Sequence, residues 1–144
     1  MKKLNSLVLA LGLSLAGLLQ AGEAPTGTLY KNPQCGCCSG HADYLRAQGF
    51  EIEVIESDRL SAFKREQDVP QALESCHTLL IDGYVIEGHV PVASIRRLLT
   101  ERPDIRGIAL PGMPAGSPGM GGAKSGPFSI YELNGGMPKV YATE

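Results

Sequence analysis

The pair Asp82-Gly83, set between the apolar runs His77–Ile81 and Tyr84–Glu87, commits the middle of this chain to a β-hairpin. Asp-Gly adopts the tight backbone that a two-residue turn between antiparallel strands requires. The remaining elements must pack around that hairpin. Upstream, Thr28–Tyr30 reads as a first strand, ended by Asn32-Pro33. From Cys37 or Cys38 to Gln48 the pattern is helical, with Cys38, Ala42 and Leu45 on one face and Gly49 as the stop. Phe50–Ile55 alternates Phe50, Ile52 and Val54 with Glu51 and Glu53, the period of a half-buried strand. A second helix is expected over Asp58–Gln67, capped by Ser57 or Asp58 and interrupted at Val69-Pro70, with one further turn at Gln71–Glu74. After the hairpin, Pro91 suits the first turn of a helix that runs to about Glu101 and is stopped by Pro103.

Strand, helix, strand, helix, strand, strand, helix is the order of an α/β, thioredoxin-like domain: a mixed sheet with flanking helices. The remainder is different. Residues 107–127 are rich in Gly and Pro around Met113 and Met120 and show neither period, so they read as a loop. Phe128, Ile130 and Leu133, the turn Asn134-Gly135-Gly136 and Val140-Tyr141 describe a C-terminal hairpin packed on the main domain.

Lys2 and Lys3, the apolar run Leu7–Leu19 and a small residue at Ala21 have the layout of a secretory signal peptide over residues 1–21. The run is shorter than the ~20 residues a membrane-spanning helix needs. Residues 22–144 then form a single domain, long enough for its own core. With Lys2 and Lys3 removed, 11 basic residues face 15 acidic ones, and no basic stripe marks a nucleic-acid partner.

Against that frame the four cysteines carry the chemistry. Cys35, Cys37 and Cys38 crowd one loop, and Cys76 precedes His77. Cysteines that only staple a fold are spread along it, and a bridge between the adjacent Cys37 and Cys38 would be strained. The clustering favours a metal site or a redox pair. The loop joins the first strand to the first helix, whose N-terminus stabilises thiolates. Cys35 and Cys38 form a C-x-x-C pair where a thioredoxin-like fold keeps its active dithiol. His77 stands where such folds place a cis-proline beside the dithiol, which puts Cys76 next to the loop and opens the site to a metal. Hairpin geometry returns His89 to the same end. His77, His89 and the thioethers of Met113 and Met120 are further candidate donors. His41 shares a helix face with Cys37 and Cys38 but reads as a solvent-facing polar residue. Three cysteines in four residues cannot easily wrap one tetrahedral zinc ion, whereas bridging thiolates in a polynuclear Cu(I) site tolerate the crowding. An iron–sulfur cluster would need an assembly route outside the cytoplasm.

The segments Lys31–Cys38, Ser75–Thr78, Gly83–Pro91 and Leu110–Met120 together resemble the CopG-type copper-resistance proteins, a family long labelled a domain of unknown function. The resemblance covers nearly all of residues 22–144. It implies a periplasmic, thioredoxin-like protein that binds copper through Cys35, Cys37, Cys38 and Cys76. A multinuclear, thiolate-bridged site cycling between Cu(I) and Cu(II), or passing copper to an efflux or copper-oxidising partner, would follow. One departure falls in the first helix: much of the family has an aromatic residue near the position of His41 and a histidine near that of Tyr44. The alternative function is a thiol–disulfide oxidoreductase using Cys35 and Cys38; a zinc- or mercury-binding module is a third reading.

Overall fold

A computed structural model describes residues 22–144. The signal peptide expected over residues 1–21 lies outside the described residues, and among the described ones no helix is long and apolar enough to cross a membrane. The elements run β1 (Thr26–Lys31), α1 (Gly36–Ala47), β2 (Glu51–Glu56), α2 (Leu60–Glu66), a 3-10 turn (Gln71–Leu73), β3 (His77–Ile81), β4 (Tyr84–Glu87), α3 (Val92–Glu101), β5 (Gly107–Ala109), β6 (Ser129–Leu133) and β7 (Val140–Thr143). They build one sheet in the order β2-β1-β3-β4-β5-β6-β7. β1 pairs parallel with β2 and antiparallel with β3, which pairs antiparallel with β4 across the Asp82-Gly83 turn. Strands β1–β4 with α1, α2 and α3 are the thioredoxin-like arrangement expected from the element order.

The strand period sorts side chains onto two faces. Leu29, Leu79 and Ile86 from the sheet, Ala42 and Leu45 from α1, and Ile95 and Leu98 from α3 are fully buried in one cluster. Each such Leu or Ile contributes about 1.5–3 kcal/mol by burial, so this layer is the rigid frame behind the cysteine loop. Val69, Leu73, Val85, Ala109 and Leu133 form a smaller cluster.

Three expectations need correction. Residues 107–127 are not all loop: Gly107–Ala109 forms β5, parallel to β4. Three residues are too few to show a period, and their strand state comes from pairing with β4 on one side and β6 on the other. The C-terminal hairpin therefore continues the sheet edge rather than packing on the finished domain. The cap of α2 also differs: Arg59 is the cap residue without a side-chain bond, while Ser57 Oγ accepts the Arg59 N–H at 3.1 Å.

A buried polar network ties α2 to the hairpin. Lys64 Nζ is paired with Glu87, and also donates to Thr78 Oγ1 at 3.1 Å. Thr78 Oγ1 donates to Glu87 Oε2 at 2.6 Å, and the Ser75 N–H donates to Glu87 Oε1 at 2.7 Å. All polar partners of the carboxylate are thereby supplied inside the fold. The same bond fixes the chain at Ser75, one residue before Cys76. At Gly88 (φ 78°) the chain passes so close to Ser75 and the Leu110 carbonyl that a Cβ would collide with both. Glycine there lets β4 turn and deliver His89 to the cysteine end.

Candidate metal centre

Cys35 precedes α1, and Cys37 and Cys38 lie in its first turn. Cys76 is the residue before β3. The pairing of Lys31 with His77 brings the two together, because β1 ends where β3 begins. The sulfur atoms of Cys35, Cys37, Cys38 and Cys76 all lie within 4.8 Å of one another. Cys35 and Cys38 are joined as a disulfide, and Cys37 and Cys76 are free. The Cys35 and Cys37 sulfurs are 3.5 Å apart, and Cys38 is within 3.6 Å of the Cys76 carbonyl. Cys38 is buried; the other three cysteines are part-exposed, so the cup opens to solvent.

Behind the cup lies a second cluster of donors. His41, His77 and His89 are each 0% exposed, and one ring nitrogen from each lies within 4.8 Å of the other two. His41 Nδ1 is 2.8 Å from His77 Nε2, and His41 Nε2 is 3.0 Å from the Val90 carbonyl. His89 Nδ1 is 2.7 Å from the Pro118 carbonyl. Carbonyl oxygens only accept, so His41 carries its proton on Nε2 and His89 on Nδ1. Their other nitrogens are lone pairs that accept inside the cluster: His41 Nδ1 takes the His77 Nε2–H, and His89 Nε2 faces the Cys76 thiol. Cys76 Sγ joins the two clusters, 2.9 Å from His89 Nε2 and 3.3 Å from His77 Nδ1.

Burial dominates the electrostatics. Desolvation pushes the Cys76 thiol up to about 12, reinforced by neighbouring Cys37. Desolvation likewise lowers His41 to about 4 and holds His77 and His89 below the usual imidazole range, so all three are neutral at pH 7. Cys76 precedes β3 rather than opening a helix, and its burial is the largest influence on its thiol. Neutral imidazoles and a thiol that loses its proton only to a strong competitor are a metal site's starting state.

A stability prediction follows for the metal-free protein. His41 binds protons near pH 6.5 when unfolded and near pH 4 when folded, so the unfolded chain takes up more protons in that window and stability falls as pH drops through it. His41 alone is worth on the order of 3 kcal/mol across the window, and His77 and His89 act in the same direction. Thermal melts should shift downward between pH 7 and pH 5. A flat melting temperature over that range would contradict the burial of the imidazoles.

Of the residues expected at the site, Cys35, Cys37, Cys38, Cys76, His77 and His89 converge. Met113 stands 55% exposed, and Met120 is part-buried. The Gly/Pro loop nevertheless closes over the site through its backbone. Pro118 holds His89, and Gly119 abuts α1 so closely that a Cβ there would strike the backbone of Gly40 and His41. The expectation for His41 is overturned, since it is wholly buried rather than solvent-facing. It shares the buried face of α1 with Cys38, Ala42 and Leu45, and its partners His77 and Val90 lie far along the chain.

The family model described as "Protein of unknown function, DUF411" matches residues 73–120, the stretch from the loop before Cys76 to Met120. Two solved structures, named Copper resistance protein copG in Form 1 and Form 2, are 39% identical to this chain with a TM-score of 0.78. They cover 85% of this chain, which in turn covers 98% and 99% of theirs. No curated protein matches the chain.

Proposed function

We propose that this chain, which belongs to the CopG family of copper-resistance proteins, is an exported copper-binding protein of copper homeostasis. The observation that carries the reading is the approach of four cysteine sulfurs to within 4.8 Å of one another, from two segments far apart in sequence. Soft thiolates select Cu(I), and their crowding favours ions that share bridging sulfurs over a single tetrahedral ion. The ligands are Cys35, Cys37, Cys38 and Cys76 in a multinuclear site, with residues 1–21 directing export to the periplasm and residues 22–144 forming the copper-binding domain. Electrons balance for a copper cycle: two Cu(I) ions give up one electron each, the Cys35–Cys38 bond accepts both, and two thiolates and two Cu(II) ions result. Passing copper to an efflux partner would clear the site, and closing the cycle would then take a two-electron oxidant, such as a disulfide of a partner protein, to re-form the Cys35–Cys38 bond.

Copper-edge X-ray absorption of the reduced protein loaded anaerobically with Cu(I) tests the site. Sulfur ligation with copper–copper scattering is the expected result; less than about one copper per chain, or no copper neighbour, would sink the multinuclear site. The disulfide itself favours a second reading, thiol–disulfide exchange by Cys35 and Cys38. That reading predicts insulin-reductase turnover that needs both residues and is indifferent to Cys76.

A further inference from the structure

We infer that His41, His77 and His89 form a second metal site behind the cysteine cup, one that takes a divalent first-row cation and binds Cu(II) most tightly. The inference rests on the copper reading above and adds a nitrogen-donor compartment to it.

Three observations carry it. The first is the donor set: three buried imidazoles with ring centroids 4.7–5.3 Å apart, on α1, β3 and the turn after β4. Histidines on three separate elements converge only if the fold holds them there, and burying three of them fills the interior with lone pairs that an apolar core would not need.

The second is orientation. His41 gives its Nε2–H to the Val90 carbonyl and His89 gives its Nδ1–H to the Pro118 carbonyl, at 3.0 Å and 2.7 Å. Metal-ligating histidines are fixed in this way, by a backbone carbonyl on the far nitrogen, which sets the tautomer and aims the near one. In the metal-free fold His77 donates its Nε2–H to His41 Nδ1, and an ion entering there displaces that proton, as metal binding does, to take both nitrogens.

The third is spacing. His41 Nδ1 and His77 Nε2 are 2.8 Å apart. Two nitrogens in adjacent positions of a tetragonal ion, each bonded at about 2.0 Å, are separated by about 2.8 Å, and tetragonal geometry with nitrogen donors is that of Cu(II). Among divalent first-row ions, Cu(II) also binds such donors most strongly.

The route in is the cup itself. Cys76 is part-exposed and its sulfur lies 2.9 Å from His89 Nε2, so an ion reaches the imidazoles past that sulfur. Soft thiolates in front and borderline imidazoles behind sort the two oxidation states of one metal by position.

The test adds Cu(II) to the full-length protein already saturated with Cu(I) under anaerobic conditions, reading electron paramagnetic resonance with spin-echo detection of imidazole nitrogen. The expected result is about one further equivalent of Cu(II) coupled to imidazole nitrogens, with His41→Gln weakening that uptake at least ~10-fold and leaving Cu(I) stoichiometry unchanged. No further Cu(II) in the unsubstituted protein, or a Cu(II) signal without imidazole nitrogen, overturns the inference. So does a folded His41→Gln protein that binds Cu(II) as tightly. The unsubstituted protein answers even if His41→Gln misfolds. Failure of the Cu(I) loading step would strike the copper reading itself, and failure of the Cu(II) step strikes only the second site.

Discussion

Cys76→Ser should lower the Cu(I) affinity of the reduced protein at least ~100-fold and reduce the copper held per chain, while its melting temperature moves little. Losing an outer partner of a metal ligand already costs about 10–100-fold, and a ligand sits closer to the ion. Serine keeps the size and a hydrogen-bond donor for His89 Nε2, but its oxygen is hard and stays protonated where a thiol can yield to Cu(I). Cys76 is also the one sulfur of the four that does not come from the α1 loop, so it closes the cup from the β3 side. The three loop sulfurs remain within reach of one another, but nothing bridges them to the opposite wall. Stability should hold because the residue is part-exposed and the exchange is nearly isosteric. Competition with a colorimetric Cu(I) chelator reads the affinity, and insulin reduction reads the rival activity in the same sample. Undiminished copper binding would remove Cys76 from the ligand set. Lost insulin reduction would show that Cys76 also serves the dithiol, against the second reading.

Much of this geometry was legible in the sequence because it is local. The Asp82-Gly83 turn set the hairpin, and the hairpin then returned His89 to the end where β3 starts, as expected from the strand lengths. Cys76 could be placed beside the cysteine loop by analogy with thioredoxin-like folds, because His77 occupies the position of their cis-proline. What the sequence did not reveal depends on long-range partners. Gly107–Ala109 has no strand signal of its own and becomes a strand only between β4 and β6. His41 looks like a polar residue on a helix until its two nitrogens are matched with His77 and the Val90 carbonyl. Lys64, on a short surface-like helix, is buried only because Glu87 awaits it from β4. A buried polar residue cannot be told from an exposed one when its partner is distant in the chain.

Lys64 is where that lesson has its largest energetic consequence. Lys64→Met should destabilise the metal-free protein by about 3–5 kcal/mol, because it leaves the Glu87 carboxylate buried without its counter-charge. The melting temperature should fall on the order of 10–20 °C for a domain of this size. Thr78 and Ser75 still donate to Glu87, at 2.6 Å and 2.7 Å, but they do not neutralise it. Burial already holds the Glu87 carboxyl above its ordinary range, with Lys64 acting in the opposite direction. In the variant that opposition is gone, so folded Glu87 holds its proton to higher pH than unfolded Glu87 does. The sign is therefore opposite to that of the histidines: the difference between variant and parent should shrink as pH falls toward the carboxylate range and grow toward neutrality. The histidine contribution is common to both proteins and cancels in that difference. Adding Glu87→Gln should restore most of the loss, since the amide accepts from Ser75, donates to Thr78 and carries no charge. The effect also reaches the metal, because Lys64 fixes the position of the Glu87 carboxylate that the Ser75 N–H binds, one residue before Cys76. Cu(I) affinity should drop about 10-fold in the single variant and recover in the double one. A destabilisation below about 1 kcal/mol would make the pair a bystander. Recovery of stability without recovery of copper affinity would uncouple the network from the cysteine cup.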